Sequence, residues 1–518
     1  MADEKLPLIL HTGSGLVQIG PQGGRILVEM VGTTLALSRA AESSGALTRR
    51  FRIGAHELCE PDYQQILLWA KALELEPETV FERLLAEPTS VSEQGSATQI
   101  VNGRIIKLGW GMRLLPFVSL EWVKGLVIET ILCLGCKLTE LNLSAVPLLT
   151  SLDCSETQLT ELDLSAVPLL TELSCGDSQL TELDLSAVPL LTSLGCGYNQ
   201  LTELDLSAVP LLTSLYCSEN QLTELELSAV PLLTSLTCEN NEIFELDLAA
   251  VPLLTSLICA QNLLWTLDLA AVPQLTELDY SRSSLTELDL SAVPLLTSLL
   301  CENNELFELD LAAVPLLTSL YCADNQLTEL QLSDVPQLTS LTCAGNKLTE
   351  LDLAGVPLLN RLDCSGCDIT SLYLSAVPLL TSLSCGEHSN YLEYQGRTRQ
   401  NRIDELDLAA VPLLTSLYCG GNQLTELELS AVPLLTALIC RHNQLTELEL
   451  SEVPLLTLLY CSYNQLTELD LSAVPLLTKL DCRDNQLTEL DIRPLRNLTD
   501  LSYDKDKTRL IQRPDQNF

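Results

Sequence analysis

The chain has 518 residues, of which 69 are acidic and 28 are basic, so its formal net charge is −41 at pH 7. A field of this sign disfavours nucleic acid and anionic membrane surfaces as partners, and it favours basic proteins or cations. Aromatic residues make up 4% of the chain, which leaves few stacking surfaces for bases or sugars.

Residues 1–98 differ from the rest of the chain and predict a small α+β domain. Apolar stretches punctuated by glycine (LPLIL, GLVQIG, RILVEMV and TTLALS) are typical of short strands. The segment Asp62–Glu87 predicts two helices broken at Pro77. The start MADEKLPLIL lacks the basic and then apolar pattern of a signal peptide. We therefore expect a cytoplasmic protein, or one that is delivered out of the cell without a cleavable signal peptide.

His56 and Cys59 are the only candidate nucleophile pair that the first domain offers. No third, orienting residue can be identified beside them, so a catalytic role is disfavoured. The chain has no phosphate-binding glycine loop, zinc motif or serine triad signature, and its four histidines are scattered. The sequence therefore predicts no enzyme activity, no cofactor and no metal site.

Residues 99–127 are expected to form a linker and an irregular capping coil, and residues 128–503 are a continuous array of repeats with a period of 21. A typical unit, Leu212–Leu232, contains the halves LxxLxCxxN and LxxLxLxxVP. Leucines two residues apart face one side of a strand, and Val-Pro corners block a helix. We therefore predict coils with two strand-like sides that stack in parallel, about 17–18 in number.

The cysteines follow the repeat. Sixteen of the 19 recur at one position, Cys136 and Cys367 share a second position, and Cys59 lies outside the array. Parallel side chains suit a disulfide poorly, so we interpret the row as free, inward-facing thiols in a reducing compartment. Asparagines at the following turn are expected to bind backbone groups of adjacent coils. The residues assigned to this structural ladder are Cys154, Cys175, Cys196, Cys217, Cys238, Cys259, Cys301, Cys322, Cys343, Cys364, Asn199, Asn220, Asn325 and Asn346.

The nested halves resemble the leucine-rich-repeat family, and specifically the bacterial 21-residue class called IRREKO repeats, over roughly residues 117–503. The second half departs from that class, because Val-Pro stands where asparagine is common. The resemblance implies a mainly β leucine-rich-repeat solenoid that binds proteins through exposed strand residues. It implies no particular partner.

Two outward positions of the LTELDL half form an acidic double row, which includes Glu161 and Asp163. This row would suit a cationic partner or a cation. Alternatively, it records repeat duplication and keeps the protein soluble.

The position before the ladder cysteine varies from coil to coil, and the two positions after the cysteine vary as well. Large exposed residues on a strand can anchor a partner, whereas neutral drift at a tolerant site would give the same variation. The residues predicted to bind a partner here are Tyr216, Ile258, Leu300, Tyr321, Tyr418, Ile439 and Tyr460.

An insertion at 386–402 adds 13 residues to one repeat. Inserted loops often make contacts, so its residues Tyr391, Tyr394, Arg397, Arg399 and Arg402 are also binding candidates. A tolerated insertion whose arginines dock on nearby carboxylates is the equal alternative. The array ends in a polar cap and tail at 504–518.

The leading interpretation is a non-catalytic scaffold that recognises a protein, possibly a basic one, through the variable strand face. One alternative is a bacterial effector whose repeats select a host protein on which the first domain acts. Another is an acidic rod that mimics nucleic acid. The sequence identifies neither the ligand nor the oligomeric state.

Overall fold

The structure is a computed structural model that describes residues 8–12, 15–22, 25–30, 33–38, 50–53, 56–59, 62–64, 66–67, 99–101, 104–109, 128–135, 138–388, 399–516 and 518. By its internal contacts the chain divides into two compact units, Met1–Leu254 and Thr255–Phe518. Within these described ranges, no helix has the length and hydropathy needed to cross a membrane.

The first unit contains fourteen strands among its described residues. They are β1 (Leu8–Thr12), β2 (Gly15–Gln22), β3 (Arg25–Met30), β4 (Thr33–Ser38), β5 (Arg50–Ile53), β6 (His56–Cys59), β7 (Gln99–Val101), β8 (Arg104–Gly109), β9 (Thr130–Leu132), β10 (Ser151–Asp153), β11 (Glu172–Ser174), β12 (Ser193–Gly195), β13 (Ser214–Tyr216) and β14 (Ser235–Thr237). The first four form an antiparallel sheet in chain order, and β5 pairs with β6.

The four glycine-punctuated stretches near the start therefore contain strands, as predicted. An α+β domain is not shown, because only residues 62–64 and 66–67 of the predicted helical segment are described, as helical turns. The remainder of Asp62–Glu87, the polar linker before residue 99 and residues 110–127 lie outside the described residues.

A parallel sheet runs through the repeats of the first unit. Strands β9 to β14 each take three residues from the cysteine half of a repeat, and they pair in chain order. Each pairing joins equivalent residues of neighbouring coils, for example Leu152 with Leu173 and Leu194 with Leu215. Ahead of them, β8 pairs in parallel with β9 and antiparallel with β7.

The second unit contains sixteen strands among its described residues. They are β15 (Ser256–Ile258), β16 (Glu277–Asp279), β17 (Ser298–Leu300), β18 (Ser319–Tyr321), β19 (Ser340–Thr342), β20 (Arg361–Asp363), β21 (Ser382–Ser384), β22 (Glu387–His388), β23 (Arg399–Gln400), β24 (Ser416–Tyr418), β25 (Ala437–Ile439), β26 (Leu458–Tyr460), β27 (Lys479–Asp481), β28 (Glu489–Asp491), β29 (Asp500–Ser502) and β30 (Arg509–Ile511).

Strands β15 to β21, β24 to β27 and β29 follow the same parallel pattern within the second unit. The hairpin β22–β23 lies in the insertion, and β28 pairs with β30 near the C-terminus. With β9 to β14 of the first unit, eighteen described coils carry a strand in the cysteine half, in agreement with the predicted number of coils.

The second strand predicted for each coil is wrong. In the described coils only β28 places a strand in the LxxLxL half. After Leu164 the chain makes two consecutive turns, in which Val167 N–H donates to Leu164 O and Leu170 N–H donates to Val167 O, both at 3.1 Å. Pro168 stands second in the latter turn, where its fixed φ fits and its missing N–H is not needed. The alternating leucines are therefore buried as predicted. The backbone groups that a second strand would need for pairing with the next coil are used in local turns instead.

Most coils contribute the same inward set of side chains. In the coil that begins at Leu212, the residues Leu212, Leu215, Cys217, Leu222 and Val230 are all buried. One coil alone has no second layer to cover these residues, so stacking on the next coil must supply the apolar contacts. The stack in turn holds the outward side chains at a fixed interval along each unit.

Candidate protein-binding surface

The cysteine ladder lies in the interior of both units. The seventeen cysteines whose side chains the structure describes are all buried and form no disulfide bond with one another, whereas Cys59 and Cys136 lie outside the described side chains. Burial raises the pKa of Cys154 and Cys196 to about 12, because loss of solvent disfavours the thiolate. The thiolate is the reactive form, so these residues act as core side chains and not as nucleophiles.

In most coils an asparagine stands three residues after the ladder cysteine and joins two coils through its amide. Asn220 Nδ2 donates to the carbonyl oxygens of Cys196, Cys217 and Ser218 at 3.1, 3.1 and 3.2 Å, and its Oδ1 accepts from Leu201 N–H at 3.0 Å. The other predicted asparagines, Asn199, Asn325 and Asn346, make equivalent bonds to both coils. These buried amides fix the register between neighbouring coils.

Several coils have another residue in place of this asparagine, among them those with Thr157, Ser178, Ser283 and Cys367. Thr157 and Ser178 share a hydrogen bond of 2.8 Å, and the Cys367 thiol donates to Cys343 O at 3.4 Å. Ser283 is different, because within the described residues its buried hydroxyl has no hydrogen-bond partner. The same coil has Tyr280, fully buried, in place of the ladder cysteine. Among the coils compared in this paragraph, this coil therefore departs furthest from the usual pattern.

The residue before each ladder cysteine lies on the outer face of its strand, which we call the strand face. In the first unit Tyr216 is 38% exposed. In the second unit Tyr418 pairs with Ile439, and Ile439 pairs with Tyr460, across three adjacent strands. All three are exposed or half-buried, so they form a continuous aromatic and aliphatic row.

The other predicted strand-face residues of the second unit are spread more thinly. Leu300 and Tyr321 are paired neighbours and are half-buried, whereas Ile258 pairs with the polar Asp279. The structure thus brings Tyr418, Ile439 and Tyr460 together and leaves Ile258 apart from the other large side chains.

A second row of residues, which we call the loop row, lies beside the strand face at the position two residues after each ladder cysteine. Its residues have left-handed backbone conformations, with φ of 54° at His442 and 57° at Tyr463. The rings of these two residues stack at a centroid distance of 4.2 Å and an interplanar angle of 8°. Variation at this position was visible in the sequence, but the left-handed geometry that turns the side chains outward was not predicted.

The acidic double row has two positions in each LTELDL half, and the second of them, the aspartate, takes part in the fold. Asp163 Oδ1 accepts from Ser165 N–H at 2.9 Å, and hydrogen bonds from the Ser165 side chain and backbone lower the pKa of Asp163. Glu226, which replaces the aspartate in its coil, accepts from Ser228 N–H at 3.1 Å. These carboxylates are therefore turn residues. In the described residues no group of three histidine, cysteine or acidic side chains is arranged to hold a metal ion.

The strand geometry and the ladder can be compared with known structures. The functional domain of InlJ from Listeria monocytogenes, which includes a cysteine ladder, is 33% identical to this chain, covers 68% of this chain and 70% of its own, and has a TM-score of 0.54. This chain belongs to the leucine-rich-repeat proteins of the bacterial internalin type. YopM from Yersinia enterocolitica is 26% identical, covers 87% of this chain and 99% of its own, and has a TM-score of 0.59.

A leucine-rich-repeat protein of Leptospira interrogans shares the fold, with 19% identity, coverage of 72% of this chain and 95% of its own, and a TM-score of 0.58. No protein-family model matches the chain, and no curated protein sequence matches it. The membership therefore rests on solved structures of leucine-rich-repeat proteins and on the shared ladder.

The insertion of this leucine-rich-repeat protein is anchored at its base. Glu387 and His388 of β22 pair with Gln400 and Arg399 of β23. Arg402 Nη2 lies 3.8 Å from Asp368 Oδ1, as expected if arginines of the insertion dock on carboxylates. Of the other predicted binding residues, Tyr391, Tyr394 and Arg397 lie outside the described residues, and only the backbone of Arg399 is described.

Several exposed apolar side chains lie away from the strand face and were missed by sequence reasoning. Phe244 in the first unit and Trp265 and Phe307 in the second unit stand where most coils of this leucine-rich-repeat array have threonine. Leu263 and Tyr373 are exposed at positions that usually carry a polar residue. A comparison of the coils position by position would have found these residues, because each of them departs from an otherwise uniform repeat.

Proposed function

We propose that the chain is a non-catalytic scaffold that binds a protein ligand through its strand face. Leucine-rich-repeat solenoids of this type typically bind proteins. The observation that carries the proposal is the in-register row of Tyr418, Ile439 and Tyr460 on three adjacent strands.

This row has the physical properties of an anchor. Each of its residues stands between a buried leucine of its strand and the buried cysteine that follows the strand, so its backbone is fixed before a partner binds. Tyrosine supplies a large contact area at a low cost in conformational entropy. A fixed surface also avoids the ordering cost that flexible loops must overcome on binding.

The neighbouring loop row extends the surface. Tyr463 lies two residues beyond the ladder cysteine of the Tyr460 coil, and it is 49% exposed. His442 stacks on Tyr463, which limits the rotamers of both rings. The strand face and this stacked pair together offer aromatic area bordered by polar loops, the usual composition of a protein-binding centre and rim.

The test compares matched triple variants of the full chain in affinity capture. Serine at 418, 439 and 460 corresponds to Ser174 and Ser384, which other coils carry at this position. The control changes Glu426, Glu447 and Glu468 to glutamine, on the LTELDL half of the same three coils. We expect the wild type and the glutamine control to bind the same ligand with similar affinity. The serine variant should bind that ligand at least about tenfold more weakly. Equal capture by all three proteins would refute the proposal.

The two alternatives give different results in the same assay. A nucleic-acid mimic would lose its ligand at high salt and would ignore the serine substitutions, because its binding would be electrostatic. An effector would need residues 1–98 for its action on the captured protein. A reducing compartment such as the cytosol would keep the ladder thiols free while the chain folds.

A further inference from the structure

A second surface of the second unit carries aromatic side chains that the strand face does not explain. Trp265 is 69% exposed and Phe307 is 59% exposed, on the LTELDL half of their coils. Most coils have threonine at this repeat position. Leu263, two residues before Trp265, is exposed as well.

The coils that carry these residues are joined by backbone hydrogen bonds. Ser284 N–H donates to Leu264 O at 3.3 Å, and Glu305 N–H donates to Leu285 O at 3.0 Å. Leu264, Leu285 and the residue after Glu305 are therefore stacked in three consecutive coils. The residue that follows each of these leucines occupies the same place on the outside of its coil.

Trp265, Thr286 and Phe307 are these three outward residues. Hydrogen-bonded chains lie about 5 Å apart, so positions two coils apart are separated by about 10 Å. The small Thr286 stands between the two aromatic positions and is exposed. The two aromatic residues thus flank a position at which the middle coil has only a small side chain.

Leu288, two residues after Thr286, adds apolar surface to the middle coil. Leu288 is half-buried, whereas the equivalent Leu267 and Leu309 of the flanking coils are 9% and 7% exposed. Among the described coils, Leu288 is the only leucine at this repeat position that is not buried. We call Trp265, Thr286, Leu288 and Phe307 the aromatic cleft.

The cleft is surrounded by negative charge. Residues 262–312 contain nine acidic residues and one basic residue, Arg282. Turn hydrogen bonds fix two of the flanking carboxylates, because Asp268 Oδ1 accepts from Ala270 N–H and Asp310 Oδ1 accepts from Ala312 N–H, both at 2.9 Å. The exposed carboxylates on this half of the three coils are Asp268, Glu287, Asp289, Glu308 and Asp310.

We propose that the aromatic cleft binds a basic segment of a partner protein and receives one arginine or lysine side chain between Trp265 and Phe307. A cation over an aromatic face is attracted by the ring, and contact with two rings needs a gap of about 7 Å between them, which a separation of about 10 Å can provide. The aliphatic stem of such a side chain would cover Leu288. The carboxylates around the cleft would neutralise the flanking charges of the segment, whereas they would repel an acidic segment. This surface is separate from the strand face. An experiment can therefore refute this proposal without refuting the proposal that the strand face binds a protein, and the reverse.

The experiment measures the fluorescence anisotropy of a labelled octapeptide of alternating arginine and glycine with the full chain at physiological ionic strength. Trp265→Thr and Phe307→Thr each restore the residue that most coils carry, so the fold should be kept. We expect each change to weaken binding about threefold to tenfold. The control Tyr373→Gln removes another exposed aromatic of the same unit, and it introduces the residue found at Gln331, two coils earlier. It should leave the affinity within twofold of the wild type.

Two further measurements exclude other occupants. A peptide with citrulline in place of arginine keeps the shape and loses the charge, and it should bind at least about tenfold more weakly. Unchanged affinity of both threonine variants would overturn the proposal, because binding would then be a general effect of the acidic surface. Sedimentation that shows a dimer in the wild type and a monomer in Trp265→Thr would also overturn it, because the occupant would be a second copy of the chain.

Discussion

His388 Nε2 lies 3.2 Å from both carboxylate oxygens of Asp324, although 64 residues separate the two in sequence. His388 belongs to β22 at the base of the insertion, and Asp324 belongs to a coil three repeats earlier. Arg441 Nε donates to Glu387 Oε1 at 2.6 Å on the other side of the same strand. The base of the insertion is therefore tied to coils on both sides of it, all within the second unit.

Gly345 makes the contact between His388 and Asp324 possible. Its φ is +70°, and a Cβ at this position would meet Asp324 Oδ1 and the imidazole Cδ2 of His388. We expect Gly345→Ala to lower the free energy of unfolding by about 1–3 kcal/mol, through backbone strain and displacement of the contact between His388 and Asp324. Urea unfolding measures the change. In a His388→Ala background the same substitution should cost less, and an equal cost in both backgrounds would contradict the contact.

The asparagine ladder predicts a large effect at Asn220. Asn220→Ala removes four hydrogen bonds that join two coils and takes from the buried Leu201 N–H its acceptor, so we expect a loss of about 2–4 kcal/mol in urea unfolding. Asn220→Asp keeps the shape but places an acceptor against three carbonyl oxygens, and it should be at least as harmful. The adjacent Gln221 is exposed, and Gln221→Ala should change the stability by less than about 0.5 kcal/mol. Similar losses at 220 and 221 would show that the amide does not join the coils.

The residues of the loop row have left-handed backbone conformations, so substitution by glycine there should not destabilise the protein. Glu156 has φ of 54°, a conformation that costs an L-residue about 1–2 kcal/mol. Glu156→Gly should therefore be neutral or stabilising by up to about 1 kcal/mol, whereas Glu156→Val should destabilise. Thr160 of the same coil is not in this conformation, and Thr160→Gly should cost about 0.5–1 kcal/mol. Thermal unfolding at one protein concentration compares the three variants, and a destabilising Glu156→Gly would argue against the loop geometry.

Alkaline pH should destabilise the protein through its buried thiols. The pKa of Cys196 is raised from 9.0 to about 12 in the folded chain, so the unfolded state loses its proton first. Stability is therefore unaffected by this group below pH 9 and is lost as the pH rises from about 9 towards 12. We expect a loss of about 1 kcal/mol per ladder thiol at pH 10, measured by urea unfolding. Cys196→Ala removes one titrating group and should show a shallower decline with pH than the wild type does.

The sequence predicted the repeat accurately where one residue type has one physical role. The interval between cysteines predicted the parallel strands, and the turn asparagines predicted the bonds between coils. Both follow from side-chain periodicity, which is a local property. The second strand was not predicted correctly, because the alternation of Leu162 and Leu164 fixes which side chains are buried and does not fix which backbone groups pair.

Contacts between distant coils could not be predicted in the same way. The spacing of His388 and Asp324 in sequence has no relation to the repeat, so only the folded stack brings them together. The glycines at 345, 366 and 421 were visible, but their left-handed conformation was not. Trp265 and Phe307 were visible as departures from the threonine of most coils, but the periodicity alone did not show how far their side chains are exposed.

Site-resolved alkylation of the native protein tests most directly whether the thiols of the cysteine ladder are buried away from water. The native full chain is exposed to a small thiol reagent and digested, and the labelled cysteines are identified by mass spectrometry. The same reaction in denaturant serves as the reference. We predict that the sixteen ladder cysteines stay unlabelled in the native protein and all react after unfolding, with none lost to disulfides. Rapid native labelling of Cys154 to Cys482, or disulfide-linked peptides between neighbouring coils, would contradict the account.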